Sequence, residues 1–407
     1  MSKAGKVFAV AVLVALAWAV APVAEAQAPI RIGASLSLTG TYAAIGQNQH
    51  RGYRLCIKQM NDKGGVLGRK LELVLHDDSS DPATAARLYE KLMTQDKVDL
   101  VLGPYGSPIT EAVANVTEKH KMPMVTHAAT TSIFKKGRKF IFMVYPPGEV
   151  YFEGLIELAA KKGLKTVAII NEDTLLPRAI SQGTMEQAKK KGLQPVFTEA
   201  YPQGTADFSS ILRRLGALNP DVLAAGTYFE DAVAITRQMK DLGVNPRIYG
   251  VTIGGDLPKF YETLGRTAEF VYGATPWLPE LVTLRAGGLI PIARQYPGAR
   301  EFVESYRREF PGADLSYQSA AGYAICQILV EASKRAGSLD SAKIRDAILR
   351  MDLNTVFGAF KVDQDGFQIA HKMLLFQWQD GQKVIVWPEE LAPGKPRFPT
   401  PPWSQRQ

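Results

Sequence analysis

Short apolar runs alternate along the chain with helical patterns, and glycines and prolines separate them. Residues 30–36 alternate apolar with small or polar positions, which predicts a strand, and residues 46–62 carry apolar positions on one helical face. Residues 71–75 predict a second strand. Asp81-Pro82 predicts the start of a second helix, because aspartate caps free amide groups and proline suits the first helical position.

The first half of the chain continues in the same order. Residues 98–103 form a short, almost wholly apolar run, as expected of a strand that is covered on both faces. Ser107-Pro108 predicts a third helix by the same capping logic, and residues 124–126 predict a fourth strand. Strands and helices that alternate in this way indicate a parallel sheet with helices on both faces.

The pattern then starts again. Segment 99–105 is similar to segment 221–228, and each predicts a buried strand that brings a tyrosine to its carboxyl end. The sequence therefore predicts an α/β fold with two doubly wound parallel-sheet lobes. The predicted strands of the second lobe are 165–171, 196–200 and 221–227, and its predicted helices are about 178–191, 207–215 and 231–242.

The N-terminus has the pattern of a secretory signal peptide. Lys3 and Lys6 precede an unbroken apolar run from Val7 to Val20, and Ala24-Glu25-Ala26 follows. A basic start, a short apolar core and a small-x-small site are typical of cleavable signals, and the run falls short of the roughly 20 residues that span a bilayer. We expect cleavage after residue 26 and an exported, periplasmic protein.

Composition and charge exclude further classes. Apolar residues make up 46% and charged residues 22%, as in folded globular proteins. The net charge is +8, but the basic residues are spread along the chain, so we expect no nucleic-acid partner. We also expect a monomer. An oxidising compartment permits a disulfide between Cys56 and Cys326, and their spacing alone leaves this pairing open.

Motifs of catalytic and metal centres are not evident. The chain has no GxSxG, GxxxxGK[ST] or HExxH motif, and its histidines do not show metal-ligand spacing. His127 follows a predicted strand without an evident nucleophile, so we interpret it as a rim residue rather than a catalytic base. We interpret Asp77, Asp78 and Asp81 as capping residues rather than as a cation site. We expect no enzymatic activity, no cofactor and no metal.

Ligands of open α/β sheets bind at the carboxyl ends of the strands. This rule points to the ends of three predicted strands, namely 105–107, 126–130 and 227–229. Ser107 lies where a helix begins, and the free amide groups and helix dipole there favour a carboxylate. Gly106 lets a backbone approach closely. The alternatives are that Ser107 only caps its helix and that Tyr105 and Tyr228 only pack.

A set of short motifs occurs in a specific order and spacing. They are Leu36–Gly40 with Gly46, Asn61–Gly68, Asp77-Asp78 with Asp81-Pro82, Gly103 with Ser107, Pro123–Thr126 with Ala128–Thr130, Asp207–Ser209, and Asp221–Tyr228. Together they resemble the periplasmic solute-binding proteins of ABC transporters, specifically the leucine/isoleucine/valine-binding type with the type I periplasmic binding fold. The resemblance runs from about Ile30 to Phe376.

This resemblance implies two lobes joined by three crossing strands, with the ligand enclosed when the lobes close. The crossings are expected near 145–147, 272–275 and 354–358. The expected division is a signal peptide at 1–26, a first lobe at 27–145 plus 275–355, a second lobe at 146–274 plus 356–392, and a Pro-rich surface tail at 393–407.

The resemblance also implies which residues contact the ligand. Ser107, Ala128 and Thr130 are expected to hold its carboxylate, Thr130 also to contact an ammonium group, and Tyr228 to contact it from the second lobe. The complete expected set is Tyr105, Gly106, Ser107, Ala128, Ala129, Thr130, Leu176, Tyr228 and Thr252.

Two positions depart from the resembled amino-acid binders. Thr252 stands where those proteins have an acid that pairs with the ammonium group, and Leu176 replaces a tyrosine. An uncompensated ammonium group in a closed cleft is costly. We therefore expect a carboxylate without an α-amino group, such as an aromatic acid, to bind more tightly than leucine, with Arg178 as an extra counter-charge. The alternative is that Asp256 supplies the acid.

The sequence thus predicts the substrate-binding component of an ABC-type importer. It is expected to capture a small carboxylate-bearing solute, either like a branched-chain amino acid or an aromatic or aliphatic acid, and to deliver it to a membrane permease. One alternative is a periplasmic ligand sensor of the same fold that acts on a signalling partner. A secreted hydrolase is the weaker alternative, because the nucleophile motif is missing.

Overall fold

The computed structural model describes residues 27–283 and 295–406, so the expected signal peptide at residues 1–26 lies outside the described residues. The strands are β1 (Ile30–Leu36), β2 (Leu71–Asp77), β3 (Leu100–Leu102), β4 (Met124–Thr126), β5 (Ile141–Met143), β6 (Thr166–Glu172), β7 (Gln194–Tyr201), β8 (Val222–Gly226), β9 (Ile248–Val251), β10 (Tyr272–Thr275), β11 (Leu353–Asn354), β12 (Ala359–Phe360), β13 (Leu374–Gln379) and β14 (Gln382–Trp387).

The helices alternate with the strands through most of the chain. They are α1 (Ala43–Asp62), α2 (Pro82–Thr94), α3 (Ser107–Lys119), α4 (Thr131–Phe134), α5 (Glu153–Lys161), α6 (Leu175–Lys190), α7 (Ser209–Leu218), α8 (Phe229–Asp241), α9 (Pro258–Leu264), α10 (Ala299–Glu309), α11 (Tyr317–Ala336) and α12 (Ser341–Leu349). Short 3-10 helices are Gly148–Val150, Gly265–Ala268, Pro279–Thr283 and Trp403–Gln405.

The first lobe is built on a five-stranded sheet of order β2-β1-β3-β4-β5, and every strand pair in it is parallel. Strands β3, β4 and β5 are buried along their whole length, and the apolar run at residues 98–103 predicts this for β3. Asp81 caps α2 by accepting from the amide of Thr84 at 2.7 Å, as the sequence predicts. Because β3 and β4 are neighbouring parallel strands, their carboxyl ends lie side by side.

The second lobe is built on a seven-stranded sheet of order β14-β13-β10-β9-β8-β6-β7. Its five strands β6 to β10 are parallel, whereas β13 and β14 add an antiparallel hairpin at one edge. The two α/β lobes confirm the predicted fold class. The hairpin of β13 and β14 was not predicted from the sequence, because it follows the region in which strands and helices alternate.

The chain passes between the two sheets at three places. It first leaves β5 and reaches the helix Gly148–Val150, and it later leaves β10 at Thr275. Residues after β12 still lie against the first sheet, since the amide of Met143 donates to Gly366 O at 2.8 Å. His371 Nε2 lies 2.9 Å from Pro276 O. We therefore place the third passage near His371, later than the resemblance implies.

The C-terminal residues lie along the second lobe. The amide of Thr400 donates to Arg247 O at 3.1 Å, and Trp403 Nε1 donates to Val244 O at 2.9 Å. The guanidinium group of Arg406 stacks on the Trp403 ring at 3.4 Å and is largely buried. The Pro-rich tail is thus packed against its lobe rather than extended into solvent.

A disulfide joins Cys56 of α1 to Cys326 of α11. The sequence left this pairing open. The bond connects the beginning of the first lobe to the segment that returns to it late in the chain, across 270 residues. It thereby fixes the two halves of that lobe to each other.

Replacing both cysteines by serine should lower the free energy of unfolding by about 2–5 kcal/mol, because the disulfide restricts the unfolded chain. Guanidinium denaturation of the ligand-free protein measures this loss, and a phosphine reductant applied to the wild type should produce the same shift. A double variant as stable as the oxidised wild type would contradict this role.

Candidate functional site: the cleft between the lobes

The first-lobe side of the cleft begins at the N-terminus of α3. Gly106 precedes this helix with φ of 83°, a left-handed conformation that favours glycine, and Ser107 is the first helical residue. Ser107 does not cap α3 with its side chain, so that alternative from the sequence is wrong. Its buried Oγ accepts instead from the amide of Ala129 at 3.4 Å. The first turn of α3 keeps amide groups without intrahelical partners.

The loop after β4 forms the facing wall. Ala128 and Ala129 are completely buried, and Ala129 O accepts from the amide of Gly148 at 2.6 Å. Thr130 is 3% exposed, and its Oγ1 has no hydrogen-bond partner. The structure therefore brings Ser107 and the 128–130 loop together. Amide groups, the positive end of a helix dipole and an unpaired hydroxyl are the groups that suit a carboxylate.

Further buried polar atoms near the Tyr105 and Tyr145 rings have no hydrogen-bond partner. They are Tyr145 Oη, Tyr151 Oη, Tyr228 Oη, Asp256 Oδ1, both ring nitrogens of His127 and the side-chain amide of Gln318. A buried polar group that lacks a partner costs about 1–3 kcal/mol, so folded proteins rarely keep several together. Their accumulation between two lobes is typical of a site that a polar solute completes.

Aromatic rings line this region and connect the lobes. The Tyr42 ring lies 5.7 Å from Tyr105 on its own lobe and 5.5 Å from Tyr228 on the other. Gln203 of the second lobe donates to Tyr42 Oη at 3.2 Å. Tyr105 and Tyr228 are therefore neighbours through Tyr42, and the two lobes touch across the mouth of the cleft.

His127 lies inside the aromatic group rather than at its rim. Its ring is 5.2 Å from that of Tyr145 and 6.4 Å from that of Tyr105. Burial lowers the pKa of His127 to about 3, although the nearby Gln318 backbone opposes this shift. The imidazole is therefore neutral and can hydrogen-bond to a solute.

Two expected second-lobe residues have different environments. Leu176 packs against Gly148, next to the 128–130 loop, and supplies an apolar surface. Thr252 Oγ1 donates to Thr227 O and accepts from the amide of Thr227, both at 2.9 Å. These bonds fix the ends of β8 and β9 to each other, so the Thr252 hydroxyl is already paired. Arg178 is exposed and forms an ion pair with Asp173 at 2.6 Å. Its charge is therefore already paired on the surface, and it does not serve as the expected counter-charge for a solute carboxylate.

Sequence reasoning missed Tyr145, Tyr151, Tyr317 and Gln318. The tyrosines at 145 and 151 flank the first passage between the lobes, and residues 317 and 318 begin α11. The resemblance gave no motif for these positions. Tyr145 follows the end of β5, a strand that was not predicted from the sequence, whereas Tyr151, Tyr317 and Gln318 follow no strand.

A pair of buried acids lies behind Tyr228. Glu172 ends β6 and accepts from Thr174 Oγ1 at 2.8 Å, while Asp231 accepts from the Tyr201 hydroxyl. Burial first, and then the charge of Glu172, raise the pKa of Asp231 to about 7. These groups also border a pocket of about 510 Å³ at the mouth of the cleft.

The acidic residues of the first lobe have structural roles. Asp78 is buried and accepts from Ser35 Oγ at 2.8 Å and from Ser37 Oγ at 2.7 Å. Asp77 accepts from Thr39 Oγ1 at 2.7 Å. Within residues 27–283 and 295–406, no group of histidines, cysteines and acids has the arrangement of a metal site.

Comparison with known proteins identifies the family. The sequence pattern of the family described as "Periplasmic binding protein" matches residues 29–383, which is most of the chain. The chain belongs to this family. As a periplasmic binding protein it is one of a family of solute-binding proteins, and the described part of the chain contains no helix long and apolar enough to cross a membrane.

Curated relatives extend over nearly the whole protein. It is 26% identical over 393 residues to the Leu/Ile/Val-binding protein homolog 7 of Brucella melitensis, covering 92% of this chain and 96% of the relative. It is 25% identical to the Leu/Ile/Val-binding protein homolog 8 of Brucella abortus over 390 residues, covering 92% and 94%. These relatives confirm the resemblance to the leucine/isoleucine/valine-binding type.

Solved structures share the fold. The leucine-binding protein LivK of Thermotoga maritima is 26% identical with a TM-score of 0.76, and the match covers 88% of this chain and 97% of LivK. LivJ of Streptococcus pneumoniae, solved with isoleucine, is 21% identical with a TM-score of 0.77, covering 88% and 100%. A solute-binding protein of Rhodopseudomonas palustris, solved with benzoate, is 18% identical with a TM-score of 0.72, covering 88% and 95%.

The raised pKa of Asp231 makes stability depend on pH. Because folding raises this pKa from its usual 3.8 to about 7, the folded state binds the proton more tightly. The contribution of Asp231 to the free energy of unfolding therefore increases as the pH falls from above 7 towards 4.

When the pH is lowered from about 8 to about 5, the free energy of unfolding of the wild type should rise by roughly 2–3 kcal/mol relative to that of an Asp231→Asn variant. Urea unfolding at both pH values measures this difference, and asparagine still accepts from Tyr201. A parallel pH dependence in the two proteins would show that Asp231 titrates normally.

Proposed function

We infer that this protein is the substrate-binding component of an ABC-type importer. It captures a small carboxylate-bearing solute between its lobes and delivers it to a membrane permease from the periplasm. Family membership and the Leu/Ile/Val-binding relatives support the transport role. The arrangement around Ser107 and Thr130 supports the carboxylate.

The observation that carries the proposal is the unpaired hydroxyl of Thr130 beside the start of α3. Thr130 Oγ1 is buried without a partner, and Ser107 is held next to its loop through the amide of Ala129. A carboxylate placed there accepts from the hydroxyl and from the first-turn amides of α3, and the helix dipole stabilises its charge. The solute thereby supplies the acceptor that the fold lacks.

The ligands named for two structural neighbours are consistent with this chemistry. LivJ of Streptococcus pneumoniae was solved with isoleucine, and the Rhodopseudomonas palustris protein with benzoate. Isoleucine and benzoate share a carboxylate and differ in whether an ammonium group accompanies it. Groups around Ser107 and Thr130 that bind a carboxylate suit both kinds of solute.

The cleft is suited to binding rather than to turnover. His127 is neutral and surrounded by tyrosine rings, and the Ser107 hydroxyl is engaged with the amide of Ala129. A protein that binds a solute without transforming it needs only complementary hydrogen bonds and a cleft that closes around the solute. The sensor alternative uses the same capture step with a different partner.

Ser107→Ala and Thr130→Ala should each weaken binding of a carboxylate solute by about 1–3 kcal/mol, because each removes a group that faces the carboxylate. The solute is the strongest binder among leucine, isoleucine, benzoate and 4-methylpentanoate in a thermal-shift screen, and calorimetry measures its affinity. Thr117→Ala is the matched control, since Thr117 lies on the same helix and bonds to Ala114 O at 3.2 Å.

The Ser107→Ala and Thr130→Ala variants should fold like the wild type, because both changes lie in the cleft. If both cleft variants bind as tightly as the Thr117→Ala control, the carboxylate is not held at this place. If none of the carboxylates binds the wild type, the proposed solute class is wrong.

A further inference from the structure

Two buried side chains of the first lobe, His127 and Gln318, have hydrogen-bonding atoms without partners. His127 is 1% exposed, and neither Nδ1 nor Nε2 of its ring forms a hydrogen bond. Gln318 is completely buried, and both Oε1 and Nε2 of its side-chain amide lack a partner. Buried polar side chains of folded proteins nearly always have a partner, so two that are left wholly unpaired need a physical explanation.

The two residues come from neighbouring elements. His127 directly follows β4 and precedes the 128–130 loop, whereas Gln318 lies in the first turn of α11, which packs against β3 and β4. The Tyr145 ring connects the two places, since it lies 5.2 Å from the ring of His127 and 5.6 Å from that of Tyr317. Both unpaired side chains therefore belong to the first-lobe side of the cleft.

Gln318 is also close to Tyr105. Burial raises the pKa of the Tyr105 hydroxyl, and the side chain of Gln318 acts against this rise. The Tyr105 ring lies 6.4 Å from that of His127 and 5.7 Å from that of Tyr42, which contacts Tyr228 of the second lobe. A continuous set of rings thus leads from the unpaired groups to the mouth of the cleft.

The start of α11 is fixed and cannot move to give Gln318 a partner. A Cβ added to Gly52 of α1 would lie 2.2 Å from Ser319 O, so the two helices are in direct backbone contact. The disulfide between Cys56 and Cys326 joins the same two helices. A hydrogen-bond partner for Gln318 therefore has to come from outside the protein.

Both side chains are neutral, and each can donate and accept hydrogen bonds. Burial lowers the pKa of His127 to about 3, so its imidazole has one N–H donor and one acceptor nitrogen. The carboxamide of Gln318 has two N–H donors and an acceptor oxygen. Within residues 27–283 and 295–406, no lysine or arginine acts on the His127 ring, so a second anionic group there would lack a counter-charge. The chemistry matches an uncharged group that also donates and accepts, namely a hydroxyl or a carboxamide.

We propose that His127 and Gln318 form a second polar subsite of the cleft, which makes it selective for small carboxylates that also carry a hydroxyl or carboxamide group. This inference rests on the proposed capture of the carboxylate by Ser107 and Thr130, and it names a further group of the same solute. Three residues of extended chain span at most about 11 Å, and His127 precedes Thr130 by three residues. The two polar groups of the solute are therefore close together, as in asparagine or 4-hydroxybenzoate.

Matched pairs of solutes test the subsite in the full mature protein. The pairs are leucine with asparagine, 4-methylpentanoate with succinamate, and benzoate with 4-hydroxybenzoate. In at least one pair, calorimetry should show the polar member binding the wild type about 10- to 100-fold more tightly, because the apolar member leaves the buried groups unpaired. One pair carries an α-amino group and two do not, so the comparison does not depend on an ammonium group.

Gln318→Met and His127→Phe should each remove this preference, because they keep the approximate size of the side chain and remove its hydrogen-bonding atoms. The polar member should lose about 10- to 100-fold in affinity, while its apolar partner should change by less than about threefold. A change that only disturbed the fold would weaken both members. Gln182→Met is the matched control, because it makes the same substitution at an exposed position of α6 in the second lobe.

Thermal unfolding without solute establishes that each variant is folded, and if one variant does not fold, the other provides the test. Apolar members that bind the wild type as tightly as their polar partners in all three pairs overturn the subsite and leave the carboxylate site at Ser107 and Thr130 intact. A preference that persists in both variants also overturns it. If no member of any pair binds, the proposed function fails and this inference fails with it.

Discussion

A buried polar atom needs a hydrogen-bond partner, and the cleft between the lobes holds several atoms that have none. Thr130 Oγ1, the hydroxyls of Tyr145 and Tyr151, and Asp256 Oδ1 are enclosed without partners. Each such atom destabilises the folded protein by about 1–3 kcal/mol. A polar solute that forms the missing hydrogen bonds removes this penalty, and the recovered free energy contributes to its affinity. The closed arrangement of the lobes is therefore favoured most when a solute is inside.

The fold places these atoms opposite one another. In the first lobe, β3 and β4 end beside each other and present the start of α3 and the 128–130 loop. In the second lobe, β8 and β9 are held together by Thr227 and Thr252, and Asp256 is buried in the loop after β9. The passages between the sheets add tyrosines.

The sequence predicted the parts of this site that follow local rules. Strand ends and a helix start located Ser107 and Thr130, because parallel strands of alternating α/β units end at one edge of a sheet. Thr252 was expected to face the solute, but its hydroxyl pairs with the neighbouring strand, and that pairing depends on sheet register. Tyr145 and Tyr151 depend on how the chain crosses between lobes, and the bond between Cys56 and Cys326 depends on how α11 packs on α1. Local sequence patterns give no information on the chain crossing or on the packing of these two helices.

The most direct test of the account is a crystal structure of the protein with the solute that it binds most tightly. We predict that the solute lies between the lobes, with its carboxylate within hydrogen-bonding distance of Thr130 Oγ1 and of the first-turn amides of α3. A solute bound outside this cleft, or one whose carboxylate contacts neither Thr130 nor α3, would contradict it.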